Sequence, residues 1–424
     1  NKMTQGTDFE FTIDNVITPS NIQAANDILF TTQDSGQRDI DKVADMKTDE
    51  TVTGTLGATT GATTPEFTMA TEVVGTDNVK RDTPGYASVA TVTFKTNGRV
   101  EIGGKIELVL PASEADSAVA VQQTWQAEDN TGTVSDGTTN VPAISFTVPT
   151  TDAGASVTYV KDDRKLTFTI QNTKLKQGTE HTFTITNVRT PSSVTIDNTG
   201  AAVSQNVKML TEDSTGGVID GGTAGNNVQC DAITAGAIRA TTGTNPTFSS
   251  ALAANGGKFP GFESQHKVTF TTAGEVPING FVVIKMPNLG AGVQAGWRFT
   301  DGSTPGTTDG AEATGGTTNV PTIAFTAPNT NTPTADTVTY TVLDRELKFT
   351  VKTNKMRQGD DFVFTVDNVI TPSNVQAAAN VILTTQDSQQ GKIDEVATMK
   401  TDQTLTGTLG AITGETTPLF TMAT

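Results

Sequence analysis

Apolar and polar residues alternate in short runs along the chain. Two of these runs, residues 165–170 and 362–366, show the period clearly. A period of two places every second side chain on the same face of a strand, so each run predicts a strand with one buried face. The predicted core residues are Leu166, Phe168 and Ile170 in the first run and Phe362, Phe364 and Val366 in the second.

Turn residues separate these runs. The chain of 424 residues contains 40 Gly and 17 Pro, and only 6% of its residues are aromatic. Glycine supplies turn conformations, and proline ends a strand because it has no N–H to pair; Pro111 and Pro287 follow apolar runs in this way. The pattern predicts an all-β chain of antiparallel, immunoglobulin-like β-sandwiches.

The sequence also repeats itself. Residues 1–71 reappear without a gap as residues 354–424, and a more diverged copy begins at Lys174. The other half of the unit occurs twice as well, at 84–111 and at 260–287. Because these blocks keep one order, the chain is predicted to be a window on a linear array of tandem domains.

Three predicted domains follow from the repeat. Residues 1–71 match the C-terminal half of a B-type sandwich, residues 72–253 form an A-type sandwich, and residues 254–424 form a B-type sandwich. A half sandwich leaves an apolar face and a sheet edge open. We therefore expect residues 1–71 to adopt the fold of residues 354–424, completed by further sequence or by strands donated from a neighbouring copy. Both alternatives favour a linear polymer of copies.

Charge and cysteine content exclude several classes of partner. The formal net charge is −18 and the pI is near 4.5, so the surface would repel the phosphates of nucleic acids. No apolar run is long enough to span a membrane. Cys230 is the single cysteine, which excludes a disulfide within the chain and a multi-cysteine zinc site.

Residues typical of catalytic sites are scarce. His181 and His266 are the two histidines, and they lie in different blocks of the repeat. Each is replaced by a non-histidine residue in another copy, and the chain has no phosphate-binding glycine loop. We therefore expect no enzymatic activity and no cofactor other than calcium.

Three pairs of aspartates share one spacing, with Asp-Ser at the first position and Ile-Asp at the second. Carboxylates at the ends of a short loop can bind calcium together with backbone carbonyls. The alternative is a hairpin turn capped by Asp-Ser, and it is favoured because the loops lack the acidic ladder of strong calcium loops. The candidate metal ligands are Asp34 and Asp41, Asp213 and Asp220, and Asp387 and Asp394.

A Thr-Pro-Ser sequence occurs at the same place in each copy, at residues 18–20, 190–192 and 371–373. Proline fixes one backbone angle and the hydroxyl groups can close a local turn. A shared structural corner is therefore predicted, without chemistry of its own.

Two stretches rich in Thr and Pro, residues 59–68 and 329–337, resemble compositions that carry O-linked glycans. The alternative is that these threonines are ordinary residues of strands and loops. N-glycosylation is not expected, because the Asn-Pro-Thr sequence at Asn245 is blocked by its proline.

Several of these motifs together resemble a known group of proteins. GGKIELVLP at 103–111, LTFTI at 166–170 and TNVRTPSS at 186–193 are similar to the tandem β-sandwich repeats of large secreted fibrillar and surface proteins of algae and other protists. The resemblance implies an immunoglobulin-like fold at the cell surface or in the extracellular space. The main expectation is a structural subunit of an extracellular filament, and the alternative is the stalk region of a cell-surface adhesin or surface-layer protein.

Overall fold

The structure is a computed structural model. It describes residues 3–74, 77–80, 82–112, 124–128, 134–139, 141–148, 155–194, 206–222, 225–241, 245–252, 258–287, 296–300, 315–317, 320–408 and 416. These residues form strands, turns, bends and irregular segments, with no helix among them. Within the same ranges no helix could cross a membrane. The predicted all-β fold is confirmed.

The contacts divide the described residues into three parts: the N-terminal segment (residues 3–50), the first sandwich (residues 51–233) and the second sandwich (residues 234–408). Each sandwich has its own hydrophobic core. One core includes residues from Leu56 to Ile233, and the other includes residues from Ile238 to Met399.

The N-terminal segment contains one antiparallel hairpin, of β1 (Asp27–Gln33) and β2 (Asp39–Lys47). The described strands of the first sandwich are β3 (Glu66–Met69), β4 (Thr71–Val74), β5 (Asp77–Lys80), β6 (Ala87–Lys95), β7 (Lys105–Val109), β8 (Gln126–Ala127), β9 (Ile144–Val148), β10 (Ala155–Val160), β11 (Lys165–Thr169), β12 (Glu180–Arg189), β13 (Val207–Glu212), β14 (Val218–Asp220) and β15 (Asn226–Cys230). Those of the second sandwich are β16 (Gly236–Ala237), β17 (Thr247–Ser250), β18 (Glu263–Thr271), β19 (Phe281–Lys285), β20 (Arg298–Phe299), β21 (Ile323–Ala327), β22 (Thr334–Thr341), β23 (Glu346–Lys352), β24 (Asp361–Ile370), β25 (Asn380–Gln386) and β26 (Lys392–Lys400).

The first sandwich has two layers that share one strand. One layer has the strand order β10-β11-β7-β13-β15, and the other has the order β3-β6-β12-β8. Residues 226–228 of β15 pair antiparallel with β13, whereas Gln229 and Cys230 pair in parallel with β3. The chain therefore passes from one layer to the other within β15. Strand β14 extends the first layer, β9 pairs with β12, and β4 and β5 form a separate two-stranded sheet.

The second sandwich repeats this plan. One layer has the order β22-β23-β19-β25-β26, and the other has the order β17-β18-β24-β20, with β21 also on β24. Strands β16 and β17 pair in parallel with β26, so β26 joins the two layers as β15 does in the first sandwich.

The period of two identified the core correctly. All six predicted core residues are buried, each at most 1% exposed. Aromatic rings make up the centre of each core, where the ring centroids of Phe168 and Phe183 lie 5.1 Å apart and those of Phe349 and Phe364 lie 5.2 Å apart. Burial of each such side chain stabilises the fold by about 1.5 to 3 kcal/mol.

Two strands join sheets on the far side of the predicted domain boundaries. Strand β3 precedes the boundary at residue 71 but pairs with β6 and β15 of the first sandwich. Likewise, β17 precedes the boundary at residue 253 but pairs with β18 and β26 of the second sandwich. A sequence repeat defines a period but not the residue at which a unit begins, so the pattern could not place these strands.

The N-terminal segment follows its sequence copy only in part. The hairpin β1–β2 matches β25–β26. Residues 8–17, which match β24, form no strand, and among the described residues none lies beside them as a strand partner. Phe9, Phe11 and Ile13 are consequently 49%, 60% and 70% exposed. The expected completion by another copy stays a prediction.

Candidate functional site at the domain junctions

The first aspartate of each predicted pair closes a hairpin turn. Asp34, Asp213 and Asp387 each follow a strand, and each accepts two hydrogen bonds at Oδ1 from backbone N–H groups two and four residues further along, at 2.7–3.0 Å. A short carboxylate side chain that accepts from the backbone ahead of it is a common way to close a turn. This geometry is that of a hairpin turn capped by Asp-Ser, which is the alternative to a calcium loop.

The second oxygen of two of these carboxylates binds the preceding unit. The hydroxyl of Ser20 donates to Oδ2 of Asp213 at 3.0 Å, and the hydroxyl of Ser192 donates to Oδ2 of Asp387 at 3.2 Å. Both serines end a Thr-Pro-Ser corner. The corner of one unit thus contacts the Asp-Ser turn of the next unit, twice, with the same pair of groups. We call this contact the corner–turn junction.

The threonine of the corner holds the corner in shape. Thr190 is fully buried, and its Oγ1 accepts a hydrogen bond from the N–H of Tyr86 at 2.8 Å. Thr371 accepts in the same way from the N–H of Phe262 at 2.9 Å. Each threonine therefore ties its corner to the Pro-Gly-aromatic turn that opens the same sandwich. The predicted structural corner is present, and it has a partner that the sequence did not indicate.

The second aspartate of each pair binds a different loop. Asp220 accepts hydrogen bonds from the N–H groups of Asn97 and Gly98 at 3.2 and 3.1 Å. Asp394 accepts from the N–H groups of Ala273 and Gly274, the latter at 3.0 Å. Both carboxylates are completely buried. Burial raises the pKa of Asp394 to about 6, because the charged form loses its hydration there.

The linker into each sandwich passes directly over this second carboxylate. A Cβ atom added at Gly54 would lie 2.1 Å from Oδ1 of Asp220, and one added at Gly236 would lie 2.0 Å from Oδ1 of Asp394. Only glycine allows so close an approach of the backbone. Each buried carboxylate is therefore enclosed between a loop of its own sandwich and the linker.

Further groups fix the junction between the two sandwiches. Arg189 forms ion pairs with Glu128 of the first sandwich and, at 3.5 Å, with Glu275 of the second. The N–H of Val194 donates to the carbonyl of Lys392 at 3.1 Å. These contacts flank the Ser192–Asp387 hydrogen bond, so the junction is more than a single bond between two surfaces.

The corresponding groups of the N-terminal segment and of the last Thr-Pro-Ser corner are exposed. Asp34 and Ser373 are both exposed, and among the described residues no corner serine binds Asp34. Asp41, which matches Asp220 and Asp394, is also exposed and exchanges hydrogen bonds with Thr32. The six candidate metal ligands therefore lie in three separate units, exposed in the first and buried in the other two.

The structure gives no further support for a cation at these aspartates. Within the described part of the chain no group of three or more His, Cys, Asp or Glu side chains could hold a metal ion. The oxygens of Asp213 and Asp387 already accept hydrogen bonds from donors of the protein. Calcium binding stays a prediction, with the hairpin alternative beside it.

Both histidines lie in the cores. His266 is fully buried, and its ring centroid lies 5.0 Å from that of Phe248. Burial lowers the pKa of His266 to about 4, so the ring is neutral at physiological pH. His181 is buried next to Phe94. These histidines pack as core residues and do not approach each other.

Parts of the predicted glycan-bearing stretch are engaged within the fold. The hydroxyl of Thr60 donates to Glu180 at 2.6 Å, and that of Thr64 donates to Gln229 at 3.0 Å. Residues 66–68 belong to β3. O-glycosylation at 59–68 and 329–337 stays a prediction.

The described residues define an all-β protein with two sandwich-like domains. No protein-family model matches the chain, and no curated protein matches it. Solved structures similar to the chain include a collagen adhesin from S. aureus, with 8% identity, coverage of 76% of this chain and 88% of that one, and a TM-score of 0.20. A serine-rich repeat adhesion glycoprotein from Streptococcus agalactiae has 12% identity, coverage of 75% and 88%, and a TM-score of 0.18.

A third similar structure is the C-terminal domain of an antigen I/II-family protein from Streptococcus pyogenes, with 11% identity, coverage of 80% and 99%, and a TM-score of 0.19. All three are bacterial proteins, and the resemblance to protist proteins stays a prediction. TM-scores of this size carry no argument about the fold or the function of the chain.

Proposed function

We propose that this chain is an extracellular spacer, the stalk region of a cell-surface adhesin or surface-layer protein. The observation that carries the proposal is the corner–turn junction, which is made twice with the same Ser-to-Asp hydrogen bond between units of different sequence. A spacer has to hold its domains in line, and a junction repeated from unit to unit does so without a ligand.

The accessory contacts support the same function. Consecutive sandwiches are joined by a hydrogen bond, by an ion pair and by a linker that only glycine fits. Relative motion is the default expectation for domains that share a small interface. Contacts of several kinds at one junction restrict this motion.

Small-angle X-ray scattering of the full chain tests the spacer. The intact chain is expected to give an elongated particle with one defined maximum dimension. The double variant Ser192→Ala/Glu275→Ala removes the hydrogen bond and the ion pair across the junction, and it is expected to broaden the distance distribution. Ser373→Ala is the matched control, because Ser373 ends an exposed corner. A double variant that scatters like the control would contradict a junction that sets the shape.

The filament subunit is the second candidate, because a junction that is repeated from unit to unit would also suit a fibre. Antibodies against the chain should label intact cells in either case. Negative-stain images of labelled cells distinguish the two, because a stalk gives single projections and a filament gives continuous fibres. Label found only after permeabilisation would contradict both.

A further inference from the structure

The two corner–turn junctions differ at one pair of facing positions. The first junction joins the N-terminal segment to the first sandwich, and the second joins the two sandwiches. The residue before the Thr-Pro-Ser corner is Ile17 at the first junction and Arg189 at the second. Ile17 and Arg99 line one cavity at the first junction, whereas Arg189 forms an ion pair with Glu275 at 3.5 Å at the second. The junctions therefore share a hydrogen bond and differ in charge.

Arg99 and Glu275 occupy the same position in the two sandwiches. Each is followed by a valine, Val100 or Val276. Val100 forms a β-bridge to the segment between β11 and β12, and Val276 forms one to the matching segment between β23 and β24. The same loop thus presents a positive side chain to the preceding unit in the first sandwich and a negative one in the second.

The charges of these two loops are balanced in different ways. In the first sandwich, Arg99 forms an ion pair with Glu101 of the same loop. A proline replaces that glutamate in the second sandwich, so Glu275 has no opposite charge within its own loop. It forms ion pairs with Lys355 of the same sandwich, at 2.9 Å, and with Arg189 of the first sandwich. Glu275 therefore takes one of its positive partners from across the junction.

Arg189 is fixed in place by its own sandwich. Its Nη2 donates to Oε2 of Glu128 at 2.9 Å, and its Nη1 donates to the carbonyl of Gly85 at 2.6 Å. The side chain of Arg189 is 13% exposed, and that of Glu128 is 4% exposed. Separating a buried charge from its partner is strongly destabilising. The guanidinium group therefore cannot turn away from the side chain that the next sandwich presents.

We infer that Arg189 selects the kind of sandwich that follows the first one. A sandwich with an acidic residue at the position of Glu275 fits this surface, and a second copy of the first sandwich, with Arg99 at that position, does not. Like charges held together at a partly buried contact repel each other, and such repulsion of a wrong partner is a common source of specificity. Lys174, which matches Lys355, adds a further positive charge to the sandwich that is rejected.

The inference rests on the proposed spacer function, in which the units stand in a fixed order. The Ser-to-Asp hydrogen bond is the same at both junctions, so it cannot distinguish one sandwich from the other. Domains of repeat proteins are prone to assemble with the wrong neighbour. The contact between Arg189 and Glu275 supplies the distinction that the hydrogen bond lacks.

The distance distribution between two spin labels, measured by double electron–electron resonance on the full chain, tests the inference. The labels are attached through Asp162→Cys and Leu343→Cys, which are exposed and lie at matching places in the two sandwiches. Cys230 is buried and stays unlabelled. The labelled chain without a substitution at the junction is expected to give one narrow peak.

Glu275→Arg gives the second sandwich the side chain that the first one carries at this position. The variant is expected to lose the narrow peak, because it places a positive charge beside Arg189. Glu275→Gln is the matched control, since it removes the attraction without adding repulsion, and it is expected to broaden the peak less. The first sandwich carries an arginine in the same loop, so the fold tolerates it. Urea unfolding followed by Trp297 fluorescence verifies that Glu275→Arg is folded.

A second background removes the selecting charge. Glu128→Thr together with Arg189→Ile introduces the residues that the second sandwich has at these two positions, Thr300 and Ile370. In this background Glu275→Arg is expected to keep the narrow peak, because an isoleucine then faces an arginine as at the first junction.

The outcomes separate the inference from the spacer function. A narrow peak for Glu275→Arg beside Arg189, or equal broadening by Glu275→Arg in the two backgrounds, would overturn the inference and leave the spacer standing. Equal broadening by Glu275→Arg and Glu275→Gln would show that attraction alone acts, and it would overturn the inference as well. A broad distribution in the labelled chain without a substitution at the junction would overturn both.

Discussion

Residues 8–17 and 361–370 read DFEFTIDNVI and DFVFTVDNVI, and they differ at only two positions. The second stretch is β24, paired with β18 on one edge and with β20 and β21 on the other. The first stretch forms no strand. Since the sequences are nearly the same, the difference arises from their surroundings. A strand of this kind is stable only where a neighbouring sheet receives its apolar face.

The hairpins that follow behave differently. Strands β1 and β2 pair in the same register as β25 and β26, with register shifts at the same two places. Each hairpin is closed by an aspartate that binds the backbone of its own turn. Contacts between residues close in sequence form without the rest of the domain, whereas contacts across a long loop require it.

The largest effect is expected from truncating one aromatic side chain in each copy. Phe364→Ala creates a cavity in a complete core, and we expect the free energy of unfolding of the second sandwich to fall by about 3 to 5 kcal/mol. Phe11→Ala removes an exposed side chain, so we expect a change within about 0.5 kcal/mol. Urea unfolding followed by Trp297 fluorescence in a Trp125→Phe background measures the first change, and far-ultraviolet circular dichroism of the full chain measures the second. Equal losses would show that the two copies share one environment in solution.

A smaller effect is expected from the buried carboxylate of Asp394. Its pKa is raised by burial to about 6, above an ordinary value of 3.8, so the folded state holds the proton more tightly than the unfolded state. The stability that this group contributes is present below about pH 4 and is lost as the pH rises through 6, and a shift of this size corresponds to about 3 kcal/mol.

Urea unfolding between about pH 4 and pH 7 checks this dependence. Asp394→Asn should remove this part of the pH dependence of the second sandwich, although its loss of one acceptor oxygen lowers stability throughout. Asp41→Asn, at the exposed matching position, is the control for the exchange itself. If the stability of the Asp394→Asn variant depended on pH as that of the intact chain does, the raised pKa of Asp394 would not be its cause.

Next in size is the effect of the turn aspartates. Asp387→Ala removes the acceptor for Ser192 and for two backbone N–H groups in a buried junction, which should cost about 1 to 3 kcal/mol. Asp34→Ala removes the same turn contacts on an exposed hairpin and should cost about 0.5 kcal/mol or less. The urea midpoints of the two variants give the comparison, and a costlier Asp34→Ala would contradict the role of the junction.

The smallest effect is expected from calcium. Because donors of the protein occupy the oxygens of Asp213 and Asp387, we expect calcium or a chelator to leave the thermal midpoint of the chain unchanged. Calorimetry measures binding directly. Heat that saturates with calcium, and that disappears in Asp387→Ala, would establish the cation site that the aspartate spacing also permits.

The sequence predicted what depends on neighbouring residues along the chain. The period of two identified the buried faces of β11 and β24, and the Asp-Ser sequences identified hairpin turns. In both cases the physical cause lies within a few residues. The repeat predicted tandem sandwiches, because the same pattern must fold in the same way wherever its neighbours are equivalent.

The contacts between units could not be predicted in this way, because they join residues that are distant in the sequence. Nothing in the Thr-Pro-Ser corner shows that Ser192 meets Asp387, and nothing near Gly236 shows that Asp394 lies beneath it. The partner of a corner is fixed only after both sandwiches have folded. The exposure of Phe11 does not follow from its alternating pattern, which is the pattern of a core strand, but the repeat indicates it, because a half sandwich leaves its apolar face open.

The parallel pairing of β15 with β3 has a mechanical consequence. The chain enters the first sandwich through β3 and leaves it through β15, so a pull on the two ends draws these parallel strands past each other. Their hydrogen bonds are then loaded together in shear, rather than opened one at a time. In the second sandwich, β16 and β17 pair with β26 in the same parallel arrangement. Resistance to stretching is governed by the rate of unfolding, and we expect single-molecule stretching to show high, similar rupture forces for the two sandwiches.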